Sequence, residues 1–370
     1  TEEGYLIPST SVVITPTIIE KAEKLIIELN TTRPLELKGM HDIYTLENPP
    51  KRKPIPILSC SDKIGTSYIP LDKEKVIGII FTDIKDEARK FAEINENSES
   101  MAGIFLEFLE YEIKSNRVPE RLLPFQSGVG SVANAVLAGF LNSKYEGLQF
   151  YTEVIQDSML DLIYAEKAQL ASGTAITTSS LGLDKFYKNI AKYRDKIILR
   201  PQEISNSPEV IRRLGVIAMN TAIEVDIYGN VNSTNIPGGK LMNGIGGSGD
   251  FARNAYLSVF FTESTAKGGI ISSIVPLVSH VDHTEHDVDI IITEQGMADL
   301  RGLSPRERAA SIINNCAHPY YKGLLLDYFK EALKNKKHIP ILLNKAFECF
   351  ETLEYNGTMI KDVKNIAYLK

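Results

Sequence analysis

Four segments of the sequence contain residues that could do chemistry. The first runs from Gln126 to Val136, where the glycine-rich piece QSGVGS leads directly into a stretch rich in alanine and valine. Such a turn places unpaired backbone N–H groups at the positive end of a helix, where they can bind a phosphate or a developing oxyanion. A tight strand-to-helix connection has the same pattern, and the turn alone does not separate the two.

The second segment, from Tyr151 to Leu162, contains the three acids Glu153, Asp157 and Asp161. One interpretation is the exposed start of a helix, where acidic residues are favoured in the first turn. Glu153, however, lies two residues after the end of a short apolar strand pattern that runs from Leu148 to Tyr151. Active-site residues of α/β proteins lie at such strand ends, so Glu153 is a candidate for catalysis.

The third segment, from Ile236 to Phe251, contains six glycines. Glycines at this density indicate backbone that approaches another group closely or takes positive φ angles. The piece Gly244-Ile245-Gly246 does not fit a dinucleotide-binding fingerprint, because no apolar strand immediately precedes it and no acid is placed to bind a ribose.

The fourth segment places His280, His283 and His286 three residues apart among acidic residues. Histidines near carboxylates suggest a metal site. The stretch is too polar for a core strand, and the spacing matches no zinc pattern. A hydrogen-bonded structural loop is therefore favoured over a metal site.

The elements that would hold these segments alternate between strand and helix patterns, which is typical of an α/β fold with largely parallel sheets. Apolar residues three or four apart from Ile18 to Leu29 predict a helix. The wholly apolar run Val76–Phe81 predicts a buried parallel strand, and the polar stretch Glu93–Glu99 predicts a linker. Strands are further predicted at Thr221–Ile227, Ala255–Phe261, Ile270–Val278 and Val288–Thr293, and helices at Met101–Ile113, Pro305–Asn314 and Tyr320–Lys334.

Composition narrows the class of protein. The chain has 370 residues, 43% hydrophobic and 24% charged, with a net charge of −6. This balance is typical of a soluble globular protein, and the negative charge argues against a nucleic-acid or anionic-membrane partner. Three widely spaced cysteines form no CxxC pair and no disulfide framework, which favours a reducing compartment. No apolar run reaches the roughly 20 residues that span a bilayer.

Taken together, these segments resemble the acetyl-CoA hydrolase/transferase family. This family of class I CoA-transferases includes succinyl-CoA:acetate CoA-transferases and 4-hydroxybutyrate CoA-transferases. The resemblance covers nearly the whole chain and is weaker through NTTRPLELKGMHDIY. It rests on the pieces QSGVGSVANAVLAG, YTEVIQDSMLDL, ISNSPEVIRRLGVIAMNTAIEVD, NGIGGSGDFARNA and KGGIISSIVPLVSHVDHTEHDVDIIITEQGMADLRGLSPRERA.

The resemblance implies two open α/β CoA-transferase domains with largely parallel sheets. Residues 1–95 are expected to be the remainder of an N-terminal domain, because the family has a further N-terminal portion that precedes the position of Thr1. Residues 96–370 are expected to form a C-terminal domain that carries the catalytic glutamate.

The resemblance also implies site residues. Glu153 aligns with the catalytic glutamate, and the backbone N–H groups of Val129 and Gly247 with the oxyanion hole. Asn206 matches an asparagine that orients the nucleophile, although an asparagine before Ser-Pro could instead be a helix N-cap. Glu294 matches a second active-site glutamate, and two neighbouring carboxylates should raise the pKa of one of them. Contacts to CoA are expected at Gly128, Val129, Gly130, Ser131, Val132, Ile223, Asn243, Gly247 and Lys267.

The implied function is transfer of CoA between an acyl-CoA (acetyl-CoA or succinyl-CoA) and a small carboxylate (acetate or succinate). It would follow a ping-pong mechanism through a glutamyl-CoA thioester. One alternative is an acetyl-CoA hydrolase that uses the same site, and another is a catalytically silent CoA-binding protein. CoA is expected as a substrate, with no metal and no tightly bound cofactor. We expect a homodimer without nucleic-acid or membrane partners, in the cytoplasm or, alternatively, in a mitochondrion or related organelle.

Overall fold

Short strands, most of them buried, form the framework. The structure is a computed structural model that describes residues 1, 3–86, 94–128, 130–237 and 239–360. Its strands are β1 Leu25–Asn30, β2 Val76–Thr82, β3 Phe125–Ser127, β4 Leu148–Tyr151, β5 Val154–Ile155, β6 Ala168–Gly173, β7 Ala175–Ile176, β8 Ile197–Leu199, β9 Ile217–Thr221, β10 Glu224–Asp226, β11 Val231–Asn232, β12 Asn235–Ile236, β13 Lys240–Leu241, β14 Leu257–Phe261, β15 Thr265–Ala266, β16 Ile271–Ser272, β17 Ile274–Val275, β18 Ile290–Thr293 and β19 Gly296–Asp299.

Helices alternate with these strands along the chain. They are α1 Thr15–Lys21, α2 Glu96–Lys114, α3 Ser131–Leu141, α4 Asp157–Tyr164, α5 Ser180–Lys188, α6 Ile190–Tyr193, α7 Gln202–Ser205, α8 Pro208–Leu214, α9 Ser248–Asn254, α10 Pro305–Cys316, α11 Pro319–Leu333 and α12 Glu348–Asn356. Short 3₁₀ turns occur at Leu35–Leu37, Lys73–Lys75 and Glu285–Asp287. Capping boxes fix the starts of α2 and α10, through Asn95 with Ser98 and through Ser304 with Glu307,.

The chain forms two units, and the first comprises residues 1–93, 116–129 and 137–217. Its strands β3, β4, β6 and β8 lie side by side in that order and run parallel. One row of paired residues crosses them, from Phe125 through Phe150 and Ala171 to Ile197, and all four are buried. Parallel strands end at the same edge, so the residues that follow β3, β4 and β6 share one edge of this sheet.

The second unit comprises residues 94–115, 130–136 and 218–370. Strand β14 lies between β9 and β18 and pairs in parallel with β18. Strand β19 then returns antiparallel to β18 after a turn of two residues. Phe260, Ile291 and Ile312 are fully buried in the core that these strands form with α10. Helix α2 is joined to this unit by buried Glu112, whose carboxylate accepts hydrogen bonds from Arg301 at 2.8 and 3.0 Å.

The structure confirms an α/β fold with largely parallel sheets. It also confirms helices at α2, α10 and α11 and strands at β14 and β18. The predicted boundary between residues 95 and 96 stays a prediction.

Five element predictions are corrected. The helix predicted to Leu29 ends at Lys21, and the chain continues as β1, whose isoleucines suit a strand paired in parallel with β2,. Strand β2 is present, but most of its residues are exposed in the described part of the chain. The strands predicted at Thr221–Ile227 and Ile270–Val278 are each split in two by short breaks. The predicted linker is helical from Glu96, while Glu93 lies outside the described residues.

Candidate active site

Glu153 lies at the carboxyl end of β4. The strand ends at Tyr151, and Glu153 stands half-buried between it and β5. Its backbone carbonyl accepts a hydrogen bond from the Thr174 N–H at 2.8 Å. Helix α4 begins only at Asp157. The helix-start interpretation is therefore wrong for Glu153 and correct for Asp157, and Glu153 occupies the sheet edge at which α/β proteins bind ligands.

The other two acids of this segment have structural partners. The Asp157 carboxylate accepts hydrogen bonds from the Ser179 N–H at 2.9 Å and from the Ser179 hydroxyl at 2.6 Å, at the start of α5. Asp161 of α4 pairs with Lys185 of α5. Both contacts join α4 to α5, and they account for two of the three acids without invoking catalysis.

Strand β6 contacts the loop that contains Glu153 and holds its backbone in place. The Thr152 N–H donates to the Ser172 carbonyl at 2.9 Å. A Cβ on Gly173 would lie 3.1 Å from the Glu153 carbonyl oxygen and 3.2 Å from that of Thr152. These distances are tighter than ordinary contacts, so the backbone of Glu153 takes its position because residue 173 has no side chain.

A buried arginine stabilises the same edge. Arg200 is fully buried, and its Nε donates to the Ser172 hydroxyl at 2.8 Å while its guanidinium pairs with Asp42. Asp42 also accepts the N–H groups of Ile64 and Gly65. This network could not be predicted from the sequence, because Arg200 and Asp42 lie 158 residues apart and share no local pattern.

The glycine-rich piece at the start of the first segment lies between β3 and α3, as its pattern predicted. Helix α3 begins at Ser131, and the Asn134 N–H donates to the Gly130 carbonyl at 3.1 Å. Val132 is buried. Val129, predicted as an oxyanion donor and CoA contact, lies outside the described residues. The CoA contacts predicted at Gly128 through Val132 stay predictions.

Gln156 connects the segment that contains Glu153 to this glycine turn. Its side-chain Nε2 donates to the Gly128 carbonyl at 2.8 Å, and the residue is fully buried. Thr152 makes a parallel link, since its Oγ1 lies 3.4 Å from both N and O of Ser127. The role of Gln156 was not predicted from the sequence, where its only local signal is a position three residues after Glu153.

Asn206 ends helix α7 and is 7% exposed. Its Nδ2 and Oδ1 atoms are buried, and neither has a hydrogen-bond partner among the described residues. The N-cap of α8 is Ser207, so the N-cap interpretation of Asn206 is wrong. A buried amide without partners costs stability. Such a side chain is expected where it serves a ligand or a reacting group.

Glu294 is the first of the two residues in the turn between β18 and β19. Its Oε2 accepts the Ser264 N–H at 2.8 Å, and its Oε1 accepts the Ser264 hydroxyl and, at 3.0 Å, the side-chain amide of Gln295. Ser264 is fully buried shortly after β14. Two neighbouring parallel strands thus place the carboxylate and its main donor together.

These donors control the charge of Glu294. Burial alone would raise the pKa of its carboxyl, but the hydrogen bonds from Ser264 and Gln295 outweigh burial and hold the pKa below its ordinary value of 4.5,. The raised pKa expected for one of two neighbouring carboxylates is therefore not found at Glu294. Glu294 is an ionised hydrogen-bond acceptor at neutral pH.

The third segment folds into the small hairpin β12–β13 followed by an exposed turn. Gly239 and Gly246 have φ angles of +85° and +53°, as their density predicted,. Gly247 is buried directly before α9, and the exposed Asn243 donates its amide to the Ser233 carbonyl at 3.4 Å. Gly238 lies outside the described residues. The oxyanion and CoA contacts predicted at Gly247 and Asn243 stay predictions.

Two further predicted CoA contacts lie in the same unit. Ile223 is half-buried between β9 and β10, and its N–H donates to the Asn232 carbonyl at 2.8 Å. Lys267 is exposed at the turn between β15 and β16, with a φ of +50° that is uncommon for a residue with a side chain,. Contact of either residue with CoA stays a prediction.

The histidine segment is a hydrogen-bonded loop. Asp282 accepts the N–H groups of Ser233 and Thr234 and the Thr234 hydroxyl. His283 is 2% exposed, packs against Phe260 with ring centres 4.9 Å apart, and has its pKa lowered by burial. Within the described residues, no three His, Cys, Asp or Glu side chains form a group that could hold a metal ion.

The site residues are thus organised within each unit. In the first, the Tyr151 hydroxyl donates to the Ile204 carbonyl at 2.6 Å and joins the strand before Glu153 to the helix before Asn206. In the second, Ser264 fixes Glu294.

Across the described ranges, no helix has both the length and the apolar character needed to cross a bilayer.

Both domains of one known protein family match the chain. Residues 1–81 match the N-terminal domain of the acetyl-CoA hydrolase/transferase family, and residues 182–329 match its C-terminal domain. A succinyl-CoA:acetate CoA-transferase of Clostridium kluyveri is 56% identical over 97% of the chain and 67% of its own length. An acetyl-CoA hydrolase of Neurospora crassa is 47% identical over 97% of the chain and 70% of its own length. The chain therefore spans about two thirds of these relatives.

Solved structures agree on the fold. RipA from Yersinia pestis superposes with a TM-score of 0.68 at 22% identity, over 91% of the chain and 68% of RipA. A 4-hydroxybutyrate CoA-transferase from Porphyromonas gingivalis gives a TM-score of 0.64 at 21% identity, over 91% of the chain and 73% of its own. With both family domains matched and 56% identity over nearly all of its length, the chain belongs to the acetyl-CoA hydrolase/transferase family.

Proposed function

We propose that the protein is a CoA-transferase that moves CoA between an acyl-CoA and a small carboxylate, with Glu153 as the covalent nucleophile. The observation that carries this proposal is the position of Glu153. It stands at the carboxyl edge of a parallel sheet, next to a glycine turn and outside any helix. A carboxylate is ionised at neutral pH and therefore needs no base to become a nucleophile.

In the first half-reaction, a carboxylate oxygen of Glu153 attacks the acyl-CoA carbonyl carbon. The carbon–sulfur bond breaks, CoA leaves as a thiolate, and an acyl-glutamyl anhydride remains. The thiolate then attacks the Glu153 carbonyl and expels the acyl group as a carboxylate, which leaves a glutamyl-CoA thioester. The acceptor carboxylate reverses both steps and regenerates Glu153, so no proton and no redox partner is consumed.

Each attack creates a tetrahedral oxyanion that needs preorganised donors, and loss of one donor costs roughly 3–4 kcal/mol in such reactions. The oxyanion roles of Val129 and Gly247 and the second-glutamate role of Glu294 belong to this proposal. Asn206 is proposed to orient the nucleophile. Its support is a buried amide whose two polar atoms have no partner among the described residues.

For substrates, we propose acetyl-CoA or succinyl-CoA as donors and acetate or succinate as acceptors. The 56% identical relative carries the name succinyl-CoA:acetate CoA-transferase. Hydrolysis is the second candidate, because relatives of 45% to 47% identity in several fungi are named acetyl-CoA hydrolases. Water would then replace the acceptor carboxylate at the thioester stage. A homodimer and a cytoplasmic or organellar location remain proposals of the same kind.

The experiment that tests this function gives the purified protein succinyl-CoA and ¹³C-labelled acetate and measures acetyl-CoA and free CoA separately. Transfer predicts labelled acetyl-CoA as the main product and parallel double-reciprocal plots, the signature of ping-pong kinetics. Free CoA without labelled acetyl-CoA would establish hydrolysis instead. Binding of CoA without either product would leave the silent CoA-binding alternative.

A further inference from the structure

We infer that Gln156 is a positioning residue that holds the glycine turn at Gly128 in register with the nucleophile segment. This inference rests on the function proposed above, because it concerns the geometry around Glu153. It assigns a role to a residue that does not itself touch the reacting atoms.

The hydrogen bonds place Gln156 at the junction of the two segments. Its Nε2 donates to the Gly128 carbonyl at 2.8 Å and lies 3.5 Å from the Ser127 carbonyl. Thr152 bonds to Ser127 as well. Residues immediately before and three positions after Glu153 are therefore bonded to the end of β3, where the glycine turn begins. The loop that carries Glu153 is held against this turn at both of its ends.

The side chain makes these contacts at the expense of its local role. Gln156 is the N-cap residue of α4, yet its side chain makes no capping hydrogen bond. Serine, threonine, asparagine and aspartate are the residues that favour this position. The glutamine amide bonds to the glycine turn instead of to the helix N-terminus. Formation of the helix does not require this bond.

The same side chain also buries a polar atom that has no hydrogen-bond partner among the described residues. Gln156 is fully buried, and its Oε1 has no hydrogen-bond partner among the described residues. A buried acceptor without a partner carries the cost of desolvation. An apolar side chain of the same shape would avoid that cost. Because proteins accept such costs at functional sites, the amide is explained by the donor that it provides to Gly128 rather than by packing.

Glycine turns need such an external donor. A backbone without side chains samples more conformations, so its carbonyl and N–H groups lose their preferred directions unless another group holds them. Displacements of about 1 Å in a reacting geometry can reduce rates by about 100-fold. Removal of the Gln156 donor should therefore lower turnover more than it changes substrate binding.

The test compares Gln156→Met with the control Gln169→Met in the purified protein. Gln169 is an exposed glutamine on β6 whose side chain bonds Arg121 and Gln149. For Gln156→Met we expect a 10- to 100-fold lower kcat, a KM for acyl-CoA within about threefold of the parent, and a melting temperature equal to the parent's or higher. The control should keep its kcat.

A second variant, Gln156→Glu, keeps the size of the side chain and makes the donor depend on pH. The introduced carboxyl can donate to the Gly128 carbonyl only when protonated, and burial favours its protonated form. We expect its kcat relative to the parent to be highest at low pH and to fall as pH rises. This ratio would not depend on pH in this way if Gln156 acted only through packing.

The outcomes separate the inference from the proposed function. Mass spectrometry on the parent first establishes whether CoA attaches to Glu153. If it does, an unchanged kcat in Gln156→Met overturns the positioning role. The role is also overturned if Gln156→Met loses both kcat and melting temperature while the relative kcat of Gln156→Glu does not depend on pH. If the parent forms no adduct, the proposed function fails, and the inference fails with it.

Discussion

The hydroxyl of Tyr151 donates a 2.6 Å hydrogen bond to the carbonyl of Ile204, and both residues are fully buried. Burial raises the pKa of the Tyr151 phenol far above its ordinary value, so the donor keeps its proton at any physiological pH,. Glu153 follows Tyr151 by two residues, and Asn206 follows Ile204 by two. This bond therefore couples the strand that precedes the proposed nucleophile to the turn that carries the Asn206 amide, which has no partner among the described residues.

The Asn206 amide should matter for turnover and not for stability. In Asn206→Ala we expect kcat to fall about 100-fold, because a donor preorganised for the reaction is lost. The melting temperature should stay within about 2 °C of the parent, because no hydrogen bond among the described residues is removed,. Steady-state kinetics and thermal unfolding measure the two effects.

Asn189→Ala provides the matched control for that variant. The Asn189 side chain donates to the Lys185 carbonyl at 2.9 Å at the end of α5. Its removal should lower the melting temperature and leave kcat unchanged. A loss of stability without a loss of activity in Asn206→Ala would show that Asn206 is a structural residue.

Gly173 should be intolerant of even a methyl group. In Gly173→Ala the new Cβ would lie 3.1 Å from the Glu153 carbonyl oxygen, so the loop that carries Glu153 must shift by a few tenths of an ångström. We expect kcat to fall at least 10-fold, since reacting geometry is sensitive to small displacements. Gly103→Ala is the control, because a Cβ there meets nothing within 4 Å and alanine favours a helix interior by about 1 kcal/mol,. Equal activities in the two variants would contradict the close packing.

Ser264 should set the charge of Glu294. In Ser264→Ala the hydroxyl donor is lost while the backbone donor remains, so the pKa of Glu294 should rise. A lowered carboxyl pKa also stabilises the folded protein above the ordinary value of 4.5, and this contribution disappears as pH falls through the folded value,. Because Glu294 of the variant becomes protonated at a higher pH, the variant should lose activity at a higher pH than the parent on the acidic side of the pH–rate profile.

The comparison for Ser264→Ala is Ser272→Ala. Ser272 is a buried serine whose hydroxyl donates to the Ile274 carbonyl at 2.7 Å. Its loss should affect stability without moving the acidic side of the profile. If both variants keep the profile of the parent, Glu294 does not control the acidic side.

Asp226 should make stability depend on pH in the opposite direction. Burial raises the pKa of Asp226 to about 6 from an ordinary 3.8, although Asn230 and three backbone N–H groups donate to it. Because the carboxyl pKa is higher in the folded than in the unfolded protein, protonation of Asp226 stabilises the folded state. The free energy of unfolding should therefore fall by about 3 kcal/mol as pH rises from about 4 to about 6.

The melting temperatures of Asp226→Asn and the parent, measured from pH 4 to pH 7, test this sign. The variant cannot ionise at this position. Its melting temperature relative to the parent should rise across the interval and level off above pH 6. A constant difference would show that Asp226 titrates as it does in the unfolded chain.

Prediction from sequence succeeded where local pattern and tertiary structure agree. The helix α2 and the strands β14 and β18 have patterns that allow one interpretation,. Glu153 was predicted at a strand end from the apolar run before it. The prediction of a helix as far as Leu29 was wrong. Apolar residues three or four apart also fit a short strand, and pairing with β2 favours the strand over the helix,.

Residues that act through distant partners could not be predicted. Gln156, Ser264 and Arg200 are defined by contacts 28 to 158 residues away along the chain. Asn206 resembled a helix cap in sequence, and only the fold reveals that Ser207 takes that position. Local patterns thus located the segments, whereas tertiary contacts determine what each side chain does.

The measurement that tests the central claim most directly is the mass of the protein after incubation with acetyl-CoA or succinyl-CoA, followed by borohydride reduction and peptide mapping. Covalent catalysis predicts a CoA adduct, or a reduced glutamate, confined to the peptide that contains Glu153 and absent in Glu153→Gln. The same variant should lose at least about 10⁴-fold in kcat. An unmodified protein that still transfers CoA, or an adduct that persists in Glu153→Gln, would contradict the assignment of Glu153 as the nucleophile.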